Sequence, residues 1–362
     1  MMDACAKSPG RTLAAMLTGS WRALPPPFEF SAAELEEMAQ TLLWSGGAAL
    51  CWFRIRHSNL RTTHAAETLH QAYRANTLQA ALHERTIEQA VNSLRSARIE
   101  SVLVKGCAAA RLYPEQGLRH YGDIDLCVRP QELADAERAV NEMPESYKID
   151  LHSGFERFGG GDFDEIYART ALIRIGETEV RVPSAEDHLR VLSIHMLREG
   201  AWRPLWLCDV AVAVESRPVG FDWDRSLGKN RRWSNWVSCA LKLAQELLGA
   251  KTESTPAARN AKPLPRWLVS TVLKEWDSVF PSMRERHRAP MSSYWRYPSD
   301  ILAGFRHRWP NPIEATISVK GSFNGLPRFP FQLGSYLARS AKFASRLPKL
   351  RRENQKAEGS RQ

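Results

Sequence analysis

The stretch from Ser101 to Leu126 constrains the fold of this chain most, because strand and helix patterns alternate within it and a pair of carboxylates ends it. Residues 101–104 are mostly apolar and predict a short buried strand, and the helical pattern after them ends before Pro114. The sequence Gly-Asp-Ile-Asp-Leu of residues 122–126 predicts a second strand. This alternation predicts helices packed on a sheet.

The paired carboxylates are Asp123 and Asp125. Side chains alternate between the two faces of a strand, so both carboxylates point to one face while Ile124 and Leu126 point into the core. Hard divalent cations bind oxygen ligands and commonly bridge one or two carboxylates to the phosphates of a substrate. The pair therefore predicts a Mg²⁺ (or Mn²⁺) site that binds a nucleoside triphosphate.

Three residues near this pair are predicted to contact phosphate. Gly106 lets backbone N–H groups approach an anion, and the start of the helix behind it adds a positive dipole end. Lys105 either contacts a phosphate or only caps the strand end in solvent. Arg119 either neutralises the triphosphate as a bidentate donor or pairs with a structural carboxylate such as Glu115.

These motifs, in this order, resemble the uncharacterised nucleotidyltransferase family within the DNA polymerase β-like superfamily. The resemblance lies in Lys105-Gly106 through Pro114, in Gly117-Leu118-Arg119 and in residues 122–126. It implies an α+β fold, in which a polymerase β-like core with a mixed sheet is flanked by N-terminal and C-terminal helical regions. The superfamily pattern is a Gly-Ser turn, a D-x-D and a later single Asp. It carries over to Gly106, Asp123, Asp125 and Asp150, and Cys107 stands where Ser is usual.

The resemblance extends over roughly residues 30–240 and implies a set of site residues. Ile149-Asp150-Leu151-His152 resembles the strand that bears the third carboxylate, and residues 182–187, His195 and residues 206–209 resemble the C-terminal helical segment. Catalytic and metal-binding roles are implied for Asp123, Asp125 and Asp150. Nucleotide contacts are expected from Lys105, Gly106, Cys107, Arg119 and His152, the last of which shares a strand face with Asp150.

Periodicity divides the chain into four predicted regions. They are an N-terminal helical subdomain (1–98), a nucleotidyltransferase sheet core (99–183), a C-terminal helical subdomain (184–297) and a Pro-punctuated extension with a basic tail (298–362). Ser31 and Glu34 predict a capping box, and Leu69, Leu78 and Leu82 follow a helical spacing. The glycine run 159–161 predicts a flexible hairpin loop, because no helical pattern clearly follows it.

Charge is concentrated at the C-terminal end. Residues 301–362 contain twelve Lys/Arg and three Asp/Glu, which accounts for nine of the ten net positive charges. Such a basic tail would contact a polyanion such as RNA or an anionic membrane, or an acidic protein, or would only keep the chain in solution. No apolar run approaches the roughly 20 residues that cross a bilayer, and no signal-peptide core is evident, so a cytoplasmic location without a transmembrane segment is expected.

The pattern as a whole predicts a Mg²⁺-dependent enzyme that moves an NMP group from an NTP to a hydroxyl or phosphate acceptor and releases pyrophosphate. Two alternatives remain open: phosphoryl transfer on the same fold, and a noncatalytic module that binds a nucleotide or RNA. The acceptor is not specified, because small molecules, peptides or proteins and RNA are all served by related folds. His188 and His195, seven residues apart on one predicted helix, are expected to have packing or hydrogen-bonding roles rather than to bind a metal.

Overall fold

The computed structural model describes residues 8–143, 149–228, 230–256, 263–277, 309–342 and 345. Within these ranges five strands form one sheet: β1 (Val102–Val104), β2 (Ile124–Val128), β3 (Ile149–Ser153), β4 (Ala171–Ile175) and β5 (Thr178–Val182). The helices are α1 (Pro9–Leu17), α2 (Ala32–Ser45), α3 (Ala48–Ile55), α4 (His64–Ser96), α5 (Gly106–Ala110), α6 (Leu133–Asn141), α7 (Phe163–Tyr167), α8 (Ala185–Arg198), α9 (Pro204–Glu215), α10 (Trp223–Leu227), α11 (Arg231–Leu248), α12 (Arg266–Asp277), α13 (Pro312–Ser318) and α14 (329–342). None of the helices in these ranges is both long and apolar enough to span a bilayer.

The sheet has the strand order β3-β2-β1-β5-β4 and mixes two orientations. The pairs β1–β2 and β4–β5 are antiparallel, whereas β2–β3 and β1–β5 are parallel. The predicted mixed sheet with flanking helices is therefore confirmed. The strand β4 was not predicted; it forms a hairpin with β5 through a turn at Gly176, whose φ is +58°.

The two faces of the sheet are covered differently. Leu103, Ile124 and Leu126 point to the face that packs against apolar residues of α4 and α6. The opposite face carries Asp125 and the other side chains of β2 that alternate with Ile124 and Leu126. It is covered by the segment after β3 and by α8. The predicted alternation of Asp125 with Ile124 and Leu126 is thus present, and Asp125 lies on a face that also carries an apolar cluster.

The helices of the two flanking regions share one hydrophobic cluster. Apolar residues of α1, α2 and α3 pack together with those of α8, α9, α11 and α12. The N-terminal helices therefore lie against the C-terminal helices, although the sheet separates them in the sequence. The division of the chain at residues 98, 183 and 297 stays a prediction.

Helix α4 connects this cluster to the sheet. Its N-terminal part contributes Leu69 to the helical cluster, and its C-terminal part contributes Ile87 and Leu94 to the sheet. Between them Leu78 and Leu82 follow the predicted helical spacing, and they are 66% and 49% exposed. The middle of α4 therefore lies between two cores, with Ala80 buried in the sheet cluster and both leucines exposed.

Some local predictions are confirmed and others need correction. Ser31 and Glu34 form the capping box of α2. The glycine run 159–161 is not a hairpin loop: it joins a 3-10 turn (Glu156–Phe158) to α7, whose first N–H groups are capped by Asp162. The basic tail beyond residue 345 lies outside the described residues.

Candidate active site

Asp125 and Asp150 meet on neighbouring strands. In the parallel pairing of β2 with β3, Asp125 lies directly opposite Asp150, because each is the second residue of its strand. Asp125 is only 2% exposed, whereas the side chain of Asp150 is 55% exposed. The two carboxylates thus share one sheet face, one of them buried and the other open to solvent.

Two cationic or polar partners hold the buried carboxylate. Oδ1 of Asp125 lies 2.5 Å from Nζ of Lys105 and accepts a hydrogen bond from Nε2 of His152 at 2.8 Å. Burial by itself raises the pKa of Asp125, but the His152 hydrogen bond and the Lys105 charge more than offset it, and the net pKa is lowered. Asp125 is therefore held as an anion at neutral pH.

Lys105 occupies an unusual backbone conformation. Its φ of +54° lies in the left-handed region, which a residue with a Cβ rarely adopts. The conformation turns its ammonium group onto Asp125 and over the ring of Phe158, at 5.0 Å from the ring centroid. Of the two predictions for Lys105, solvent capping does not fit a side chain that is 10% exposed; phosphate contact stays a prediction.

Gly106 begins α5 directly after Lys105. A Cβ at this position would lie 3.2 Å from the backbone oxygen of Asp123, which is tighter than ordinary contact. The positive φ of the turn occurs at Lys105, while Gly106 provides the close approach between the two motifs. The turn and the D-x-D are therefore packed backbone to backbone.

The group with metal-ligand spacing differs in one member from the predicted set. Asp125, Asp150 and His152 each offer a ligand atom, and these atoms lie within 4.8 Å of one another. Asp123 precedes β2, is exposed and lies outside this group, but it lines the same cleft. Two carboxylates and one imidazole suit a divalent cation, and the carboxylates are the harder ligands that Mg²⁺ prefers.

These residues lie in a cleft of about 820 Å³ between the sheet and the helices α8, α9 and α13. It is lined by six basic residues, Lys105, Arg119, Arg157, Arg198, Arg203 and Arg339, and by five acidic ones, Asp123, Asp125, Asp150, Glu199 and Glu314. Trp202, Trp206 and Trp309 add aromatic surface. The cleft therefore combines carboxylates at the sheet with positive charge and aromatic rings on the helices.

Arg119 is bound to a carboxylate on α9. Its Nη2 and Nε lie 2.8 and 3.2 Å from the two carboxylate oxygens of Asp209, which also accepts a hydrogen bond from the hydroxyl of Tyr113. Glu115, the carboxylate suggested by the sequence, pairs instead with Arg56. Arg119 also lines the cleft, so nucleotide contact by this residue stays a prediction.

Cys107 points away from this cleft. Its side chain is buried in the sheet cluster and lines a separate surface pocket beside Glu84 and Arg111. Burial raises the pKa of the Cys107 thiol, so it is not a ready nucleophile. Any contact of Cys107 with a phosphate would have to come from its backbone N–H.

Several cleft residues were not predicted from the sequence. His195 contacts Trp206 edge to face at 4.9 Å, and Trp206 contacts Trp202 in the same way at 5.2 Å. Burial, and then the charge of Arg119, lowers the pKa of Arg203 to about 10. The four-residue spacing of Trp202 and Trp206 was a usable signal, although only Trp206 lies on α9, whereas nothing local marks Arg157, Arg198 or Arg203.

The mixed five-stranded sheet with its flanking helices agrees with a nucleotidyltransferase fold. Residues 31–144 and 142–249 match the family described as uncharacterised nucleotidyltransferase. The chain belongs to this family.

Other comparisons add little to this assignment. No curated protein matches the chain. Among solved structures, an antigenic nucleotidyltransferase-like protein from Paracoccidioides brasiliensis is similar, with 14% identity over 52% of this chain and 93% of its own and a TM-score of 0.33.

Proposed function

We propose that the protein transfers an NMP group from a nucleoside triphosphate to a hydroxyl or phosphate acceptor and releases pyrophosphate. One observation supports this most directly: Asp125 and Asp150 face each other across β2 and β3 in a basic cleft, beside the turn that carries Lys105. Transfer of a phosphate-containing group is favoured by paired carboxylates, which can hold a divalent cation, and by cationic side chains, which stabilise the negative charge of the phosphates.

A divalent cation fits these residues. Asp125 and Asp150 would hold Mg²⁺, with Asp123 as a further ligand from the same cleft. When bound, the ion supplies positive charge to the triphosphate and to the developing pyrophosphate. His152 donates to Asp125 and so fixes the orientation of that carboxylate.

The chain's own residues account for the rest of the reaction. The acceptor oxygen forms a bond to the α-phosphorus, the bond from that phosphorus to the β-phosphate oxygen breaks, and the electron pair leaves with pyrophosphate. Asp150, which is solvent-accessible, takes the proton of the acceptor hydroxyl. Lys105 and Arg198 offset the negative charge of the phosphates within the cleft.

The nucleobase has a candidate contact surface in the same cleft. The rings of Trp202 and Trp206 line it next to His195. Aromatic faces stack on any of the four bases, so these residues would hold a base without selecting one strongly.

The test uses purified protein, Mg²⁺ and each of the four NTPs labelled with ³²P at the α-phosphate, with cell extract as the source of acceptor. We expect the label to enter the acceptor fraction for wild type and not for Asp150→Asn. An Asp224→Asn variant, altered on the exposed start of α10, is the matched control and should retain the wild-type rate.

A parallel reaction with γ-labelled ATP distinguishes the alternatives. Label that reaches the acceptor only from the γ-position would indicate phosphoryl transfer. Binding of NTP without transfer of either label would indicate a noncatalytic module and would contradict the proposed function.

A further inference from the structure

We propose that the acceptor is a phosphate-bearing molecule that lies in a second cleft, adjoining the first. That an acceptor binds there rests on the proposed function, but the presence of an anion-binding site in the second cleft can be tested separately.

The second cleft has a volume of about 780 Å³ and is built from segments that follow β2 and β3. One wall is the segment of residues 154–164, which runs from the 3-10 turn through the glycine run to the start of α7, and the other is formed by α8 and the start of α11. Trp233 and Ile194 give it an apolar surface. It is thus comparable in size to the cleft that contains Asp125.

Two arginines line both clefts. Arg157 comes from the segment after β3, and Arg198 comes from the last turn of α8. Both side chains are exposed, and the positive charge of Arg157 contributes to lowering the pKa of Arg198, after desolvation as the first cause. Two positive charges close together repel each other, and an anion bound between them would relieve this repulsion because it is attracted to both.

Positive charge continues beyond these arginines. Arg232 and Lys320 line the second cleft, and neither forms an ion pair with any residue in the described ranges. In contrast, Arg129 in the same cleft is paired with Asp164, and Asp162 is used as the cap of α7. The second cleft is lined by five basic and three acidic residues, so its net charge is positive.

The position of Asp150 relates the second cleft to the acceptor rather than to the nucleotide. The sheet order places Asp150 on the edge strand β3, while Lys105 and Gly106 follow β1, two strands away. A triphosphate at the turn after β1 leaves the β3 side open. An acceptor whose hydroxyl lies at Asp150 would then extend past Arg157, which follows β3 in the chain.

The test compares two pairs of charge reversals. Arg232→Glu with Lys320→Glu changes the second cleft and touches no residue of the first. Arg74→Glu with Arg85→Glu makes the same change of charge on exposed positions of α4 and is the matched control. The probes are a fluorescently labelled short linear polyphosphate and a labelled oligoribonucleotide, measured by anisotropy at several salt concentrations, and a nonhydrolysable NTP with Mg²⁺, measured by calorimetry.

We expect the cleft variant to weaken the binding of at least one anionic probe by about tenfold or more and to reduce its salt dependence. The control variant should change it by less than about twofold, and NTP affinity should remain as in wild type for both. The probe that is affected identifies the source of the phosphates as a polyphosphate chain or a phosphodiester strand. Equal weakening in the control, no weakening in the cleft variant, or failure of wild type to bind either probe would overturn the proposal.

Failure of the proposed function gives a different result. If no NTP label is transferred but probe binding still depends on Arg232 and Lys320, the anion site stands and the reaction does not. If label is transferred to an acceptor without phosphate, such as a peptide, at an undiminished rate in the cleft variant, the reaction stands and the acceptor site is wrong.

Discussion

The cleft has a buried half and an exposed half, and the two halves differ in how their charges are used. In the buried half, Asp125 is bound to Lys105 and His152, and Arg119 is bound to Asp209. In the exposed half, Asp150, Arg157 and Arg198 face solvent. Buried charges must be paired to be tolerated, so they are oriented before any ligand arrives, whereas exposed charges are available for the ligand itself.

The first prediction tests this comparison with the two facing carboxylates. Asp125→Asn and Asp150→Asn should each lower the rate of label transfer by about a hundredfold or more, since about 1.4 kcal/mol of transition-state stabilisation is worth tenfold. Only Asp125→Asn should also lower the free energy of unfolding, by about 3 kcal/mol, because it leaves Lys105 charged and buried.

Transfer assays and denaturant unfolding of both variants measure the two effects. Equal destabilisation by both substitutions would remove the distinction between the two halves. An Asp125→Asn variant with more than about a tenth of the wild-type rate would remove this residue from the reaction.

The second prediction concerns the buried pair of Arg119 with Asp209. Asp209→Asn should lower the free energy of unfolding by about 4 kcal/mol, because an arginine is left buried without its counter-charge. The double variant Arg119→Met, Asp209→Leu should recover most of that loss. If Arg119 only positions the cleft wall, the double variant keeps its NTP affinity; loss of affinity with restored stability would assign Arg119 to nucleotide binding.

The third prediction concerns the pH dependence of stability that arises from His188, a buried residue of α8. Burial lowers the pKa of His188 to about 4, partly offset by Asp209. In the unfolded chain the ordinary value is about 6.5, so between these values the unfolded state binds the proton that the folded state refuses. Stability therefore falls as pH drops from about 6.5 to about 4, by up to roughly 3 kcal/mol from this residue.

His188→Leu should remove this share of the pH dependence, measured as the difference in unfolding free energy between pH 7 and pH 4.5. His64→Leu, at an exposed position of α4, controls for the loss of an imidazole. Parallel pH profiles for wild type and His188→Leu would show that His188 does not contribute to acid sensitivity.

The fourth and smallest effect is expected at the exposed half. Arg198→Gln should weaken the affinity for NTP by about tenfold, because a charged hydrogen bond is worth about 1.4 kcal/mol. It should leave the thermal midpoint unchanged, because the side chain is exposed. Calorimetric titration beside a melting curve measures both, with Arg74→Gln as the control. A fall in the melting temperature with unaltered affinity would place Arg198 among the structural charges.

The buried half was more predictable from the sequence than the exposed half. Strand alternation was enough to identify Asp125, because that pattern is local to residues 122–126. Asp150, in the exposed half, was identified only by the resemblance of residues 149–152 to the family's strand with the third carboxylate. The pairing of Lys105 with Asp125 depends on a positive φ at a non-glycine residue, which local propensity does not predict.

The exposed half depends on how distant segments pack. Arg198 and Arg203 enter the cleft because α8 and α9 pack against α11 and the N-terminal helices, and no short pattern encodes that arrangement. The same limit explains Leu78 and Leu82, whose spacing fits a buried stripe but which lie between two cores.

Helix α4 has a consequence for how the chain can be divided. Its 33 residues correspond to a rod of about 50 Å, with Leu69 fixed at one end in the helical cluster and Ile87 at the other end against the sheet. A fragment that starts at the sheet would lose the helix that covers one of its faces, and a fragment without the sheet would leave the apolar end of α4 in water. Limited proteolysis should therefore release no stable half of the chain. The slowest amide protons of the sheet and of the helical cluster should exchange together, because the two unfold as a single cooperative unit.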